Sequence, residues 1–159
     1  MPEFLNSPFG LKLTIPEVVV EIVRYMHEAP QWHYKVTIGT DSQRLADGKA
    51  DFVSAVVVHR IGNGGRYFWR RFEMQHLHTL RDRIIKEVLI SLELATKLLE
   101  ELKQHPVPHF DFEVHADVGE NGPTKVMIQE VVGMIRAYNF EAKTKPESYA
   151  ASNVADRYV

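Results

Sequence analysis

The chain contains no cysteine. Disulfides and thiolate-bound metals are therefore excluded, and the composition suits a reducing compartment, so a cytoplasmic location is expected. No apolar run approaches the ~18 residues of a membrane-spanning helix, so no membrane association is expected. The opening residues, MPEFLNSPFG, lack the basic stretch and apolar core of a secretory signal. Neither sign of charge is in excess. Nineteen Lys and Arg against 21 Asp and Glu leave a formal net charge of -2, which argues against a general polyanion binder. A local basic patch is still open, from Arg66, Arg70, Arg71, Arg81, Arg83 and Lys86, although scattered surface charge explains them equally well. No P-loop is present: the run GNGG at 62–65 lacks the lysine and hydroxyl that make that motif specific. Internal repeats and low-complexity segments are also missing.

What is present is a chain of 159 residues, long enough for one domain with a real core. A single domain over 1–159 is expected, with an arm and helix in 1–33 and the core in 34–159. Thr14 is placed to cap a helix whose first turn holds Pro16 and Glu17, and which ends before Pro30. Three strands follow, at 34–40, 52–61 and 66–74, with Asp47-Gly48 and GNGG as turn signals. Ile84, Ile85, Val88, Leu92, Ala95, Leu99 and Leu102 recur at helical spacing, predicting a long helix over 79–103. A fourth strand at 111–117 and a helix over 123–137 come next, the helix burying Val126, Met127, Val131, Met134 and Ile135. A short strand at 140–144 leads into a last helix opening near Glu147 and cut off at Val159. A meander followed by strand–helix crossovers makes an α/β domain with a mixed sheet covered by helices. The third strand, YFWRRF, falls at the sheet edge in this order. There it is free to pair with a copy of itself, making a homodimer a candidate.

Two of these strands end in a carboxylate, Asp41 after YKVTIGT and Asp117 after DFEVHA. Side by side, the two repel unless a cation neutralises them, and hard divalent cations prefer such oxygens. Glu87 lies on the long helix with the small Ser91 one turn above, a spacing that lets the helix approach the sheet. Asp82 and Glu93 are alternative helix carboxylates. Asp156, three residues after Asn153, is a further candidate near the chain end. His115 shares a side of its strand with Asp117, either as a proton-transfer group or as a hydrogen-bonded core residue. His76 and His78 are a weak zinc signal and fit a histidine-rich turn better.

IGTDSQ at 38–43, KEVLISLELA at 86–95, HADVG at 115–119 and NVAD at 153–156 together resemble the ribonuclease H-like superfamily, and within it the YkuK-type family. The resemblance implies a five-stranded mixed sheet in order 3-2-1-4-5, flanked by helices, here with an extra N-terminal helix. It implies a metal site of Asp41, Glu87, Asp117 and Asp156 holding two Mg2+ or Mn2+ ions, with Asp41 bridging them. The implied activity is metal-dependent hydrolysis of phosphodiester bonds in RNA or DNA. Aligning the family's pattern on LELA at 92–95 would place Ile84 at the glutamate position, so Asp82, Glu87 and Glu93 all stay open there. The histidine loop of bacterial ribonuclease H is replaced by Lys143, Thr144 and Lys145, and either lysine is a candidate phosphate contact. Two other functions fit the same residues. One is a catalytically silent module of this fold that binds nucleic acid or protein. The other is a phosphoesterase acting on small nucleotides.

Overall fold

A computed structural model of the chain describes residues 2–150. The last helix does not open near Glu147 as expected, since residues 147–149 form a turn and an irregular segment instead; the rest of that expected helix, with Asp156, lies outside the described residues.

The first helix, α1 (Ile15–Glu28), begins as its sequence dictates. The Thr14 hydroxyl accepts from the Glu17 amide, and the Glu17 carboxylate accepts from the Thr14 amide at 3.0 Å. Val18, Val19, Ile22 and Met26 are its buried stripe. The meander then follows as β3 (Tyr34–Arg44), β4 (Ala50–Arg60) and β5 (Gly65–Met74), each antiparallel to the next. The first of its turns places Asp47 and Gly48 at positive φ, 60° and 72°. Gly48 has a second constraint, since a Cβ there would lie 2.4 Å from the His78 ring. Helix α2 (Leu80–Leu102) is capped by the Thr79 hydroxyl, which accepts from the Asp82 amide. The chain returns as β6 (Phe110–His115), parallel to β3, then α3 (Ile128–Ala137), and β7 (Glu141–Lys143), parallel to β6.

Two short strands precede these, β1 (Leu5–Asn6) and β2 (Lys12–Leu13), and complete a sheet in the order β2-β1-β5-β4-β3-β6-β7. The five strands from β5 to β7 follow the expected 3-2-1-4-5 order. The expected count of five is corrected to seven among the described residues. The cause is the N-terminal arm. Leu5 and Leu13 pair across a hairpin and are both buried, so the arm is anchored by apolar burial rather than left loose. Asn6 pairs with Trp69 of β5. The third strand of the meander is therefore not the sheet edge, and at Trp69 the site on which self-pairing rested is taken by β1.

The main core joins the apolar face of the sheet to the helices. Val36, Ile38, Val56, Val58 and Val114 meet the α1 stripe and, from α2, Val88, Leu92, Ala95 and Leu98. One expected core residue is wrong: Val126 is 90% exposed. It lies in a 3₁₀ turn (Lys125–Met127) before α3, where the tighter winding turns it outward while Met127 stays buried. Among the described residues no helix is long and apolar enough to cross a membrane.

Candidate metal centre

Register places the two aspartates. Strands β3 and β6 are parallel, with Ile38 opposite Val114 and Gly39 opposite His115. Their pairing ends there, so Asp41 and Asp117 each stand two residues past the last pair. Asp41 is not at the end of its own strand, as expected, because β3 continues to Arg44 against β4. It sits instead where β3 loses its parallel neighbour, at a notch in the sheet. A shallow cleft opens there, lined by Gly39, Asp41, His115, Asp117 and Tyr149.

Helix α2 brings the third carboxylate. Asp41, Glu87 and Asp117 each offer an oxygen within 4.8 Å of the other two. No other cluster of metal-binding side chains of this kind occurs among the described residues. The close seat of α2 depends on small polar residues. Ser91 is buried and donates to the Thr40 hydroxyl at 2.8 Å, and Thr40 is in turn hydrogen-bonded to Ser54 at 2.9 Å. One turn before Ser91, Glu87 is 3% exposed and accepts from the Ser42 hydroxyl through Oε2. Arg83 donates to the Ser42 carbonyl at 3.2 Å and to its hydroxyl at 3.3 Å. The other Glu87 oxygen, Oε1, is buried without a hydrogen-bond partner. A buried carboxylate oxygen with no donor is costly and calls for a proton or a cation.

The charges are only partly compensated. Burial raises Glu87 well above the usual carboxylate range, with Asp41 and Asp117 adding to the rise and Ser42 opposing it. Asp41 is pushed up to about 6, first by burial and then by the Asp117 charge. Its Oδ1 accepts from the Ser42 amide at 3.0 Å, which opposes the shift. Asp117 has a cation of its own, Lys145, whose Nζ lies 2.9 Å from Oδ1. Three carboxylates with clustered oxygens, one of them carrying an orphaned buried oxygen, fit a hard divalent cation such as Mg2+ or Mn2+.

The other candidates fall outside this cluster. Asp82 is exposed in the first turn of α2, and Glu93 is exposed and paired with Lys97 at 3.0 Å. Of the three helix carboxylates, Glu87 is the one that joins the aspartates. The six basic residues do not form one patch. Arg71 pairs with Asp51, Arg81 with Glu130, and Arg70 is buried and donates to the Pro2 carbonyl. Arg66 lies over the Tyr25 ring, and only Arg83 reaches the centre. His76 and His78 join no metal-binding cluster among the described residues. His115 is a buried, hydrogen-bonded residue. Its Nδ1 accepts from the Tyr149 and Ala150 amides, so Nε2 carries the proton and faces Glu113 at 3.2 Å. Burial lowers its pKa, which favours this neutral form. Sequence reasoning missed Ser42 as the partner of Glu87. The motif IGTDSQ contained it, one residue after the aspartate.

A ribonuclease H-like family profile matches residues 17–159 of this chain. The chain is also 32% identical, over 158 residues, to the "Uncharacterized protein YkuK" of Bacillus subtilis (strain 168), covering 92% of this chain and 91% of that protein. No solved structure matches it.

Proposed function

We propose, from the premise that this chain belongs to the ribonuclease H-like family, that it is a nuclease dependent on Mg2+ or Mn2+ that hydrolyses phosphodiester bonds in RNA or DNA. The observation that carries this reading is the orphaned, buried Oε1 of Glu87 beside Asp41 and Asp117. In a site without a cation that oxygen has no hydrogen-bond partner, and the nearby Asp41 and Asp117 disfavour a charge on it.

Asp41, Glu87 and Asp117 would hold the cation. Bound there, it would supply Lewis-acid activation of water and neutralise charge developing on a phosphate. The protein's own part is positioning. Ser42 fixes the rotamer of Glu87, and Arg83 fixes Ser42, so the carboxylate is aimed before any ligand arrives. The seat of Ser91 on Thr40 sets the separation of α2 from β3. Asp156 is proposed as a fourth carboxylate on the family's pattern alone.

One observation favours a second reading. Arg71 and Arg81 are satisfied within the protein by Asp51 and Glu130, which leaves less basic surface to grip a long polyanion. That suits a nucleotide-sized phosphoester, or a fold that binds without cutting.

The test is cleavage of single-stranded, duplex, RNA–DNA hybrid and four-way-junction substrates, plus a nucleotide phosphoester, with Mn2+ or Mg2+. Wild type is compared with Asp41→Asn. The expected result is metal-dependent cutting of one polymer, reduced at least about 100-fold in the variant, the loss typical of a removed electrostatic catalytic group. Turnover of the nucleotide alone would select the second reading. No turnover by folded protein would exclude the enzyme.

A further inference from the structure

Lys145 is the one cation in an ion pair with the carboxylate triad among the described residues. Its backbone is fixed to the loop after β6. The Lys145 amide donates to the Val118 carbonyl at 2.8 Å, and the amides of Glu147 and Ser148 close a turn on the Thr144 carbonyl at 2.8 and 3.0 Å. Gly119 packs so close that a Cβ there would lie 2.8 Å from the Lys145 Cβ. The stem is thus held at its root, by contacts that do not involve the ammonium. The side chain itself is 52% exposed, so its end is free to leave. Arg83 has no such freedom, because Ser42 binds it through both carbonyl and hydroxyl.

The ammonium is paired with Oδ1 of Asp117, one of the three carboxylates whose oxygens cluster where a divalent cation would sit. An ammonium and a divalent cation on neighbouring carboxylate oxygens repel each other. We propose that Lys145 is an exchangeable counter-ion: its ammonium holds Asp117 in the metal-free protein and turns to a phosphate of the nucleic-acid substrate when a divalent cation binds the triad. This rests on the metal-dependent reading above. It gives one residue two successive partners, first carboxylate and then phosphate, so that the site is never left with its full negative charge bare.

Calorimetric Mn2+ binding to the full chain tests the first half, with wild type, Asp41→Asn, Lys145→Gln and Lys145→Arg. Lys145→Gln is expected to bind Mn2+ about two- to fivefold more tightly than wild type, the range set by an exposed ion pair. Lys145→Arg keeps the competing charge and is expected to match wild type, and circular dichroism confirms that each variant is folded. Binding of a fluorescent single-stranded oligonucleotide tests the second half, with Ca2+ as a cation that does not support turnover. Wild type is expected to bind more tightly in Ca2+ than in chelator. In Lys145→Gln that gain should shrink and the salt slope should fall by about 0.7. Mn2+ binding that depends on Asp41 but is unchanged in Lys145→Gln would overturn the exchange and leave the metal site standing. An oligonucleotide affinity indifferent to Lys145 would overturn the phosphate half. Wild type that binds no more Mn2+ than Asp41→Asn would overturn the metal reading itself.

Discussion

Asp41 carries a charge that the metal-free fold does not want. Its carboxyl is raised to about 6, so the folded chain binds that proton more tightly than the unfolded chain does, with its ordinary value of 3.8. Stability is then greatest below the unfolded value and is lost as pH rises from about 4 through about 6. Two pH units correspond to about 2.7 kcal/mol at most, and partial exposure with coupling to Asp117 reduces this to about 1 kcal/mol. In chelator at neutral pH, Asp41→Asn is therefore expected to be about 1 kcal/mol more stable than wild type in urea unfolding. Asparagine keeps an oxygen for the Ser42 amide, so the local hydrogen bond survives the change. The gap should close below about pH 4, where both side chains are neutral. Saturating Mn2+ should reverse the order, because it stabilises only the form that binds it. A variant less stable than wild type in chelator at neutral pH would show that the carboxylate is compensated after all.

Helix α2 converts sequence spacing into site geometry. Its apolar stripe was readable because Ile84, Val88, Leu92 and Ala95 keep strict helical period, and all four are buried. Glu87 was readable for the same reason, since a serine one turn further on marks the face that comes closest to β3. Replacing that serine tests the seat. Ser91→Leu inserts bulk into a fully buried contact and is expected to cost about 1–3 kcal/mol. It should also move Glu87 away from Asp41 and weaken Mn2+ binding about tenfold or more, whereas Ser91→Ala should leave Mn2+ binding within about threefold of wild type. Equal Mn2+ affinity in all three proteins would mean that the helix seat does not set the site. Other elements hid their state. The two-residue strands β1 and β2 are too short to show any period, and they form through the pairing of Leu5 with Leu13, which composition cannot reveal. Val126 followed an α-helical period into a segment that is wound as a 3₁₀ turn.

Taken whole, the sheet gathers its chemistry at one notch, where β3 runs on to Arg44 and its pairing with β6 has already stopped. The aspartates could be read from sequence because each closes a strand-like run, YKVTIGT or DFEVHA, although β3 runs on past Asp41, and parallel register does the rest. The partners that decide how the notch behaves could not. Ser42 reaches Glu87 across 45 positions of sequence, and Lys145 reaches Asp117 through a turn fixed by Val118 and Thr144. Such contacts depend on tertiary placement rather than on period or spacing. The basic residues show the reverse case. Arg71 and Arg81 read as a possible patch in sequence, but the fold spends them on Asp51 and Glu130. The claim on which the account depends is that Glu87 Oε1 is orphaned because a cation belongs there. An anomalous difference map from a crystal soaked in Mn2+ addresses it directly. The account predicts a peak within about 2.2 Å of Glu87 Oε1, shared with Asp41 and Asp117. A soaked crystal with the triad in this arrangement and no peak among its oxygens would contradict it.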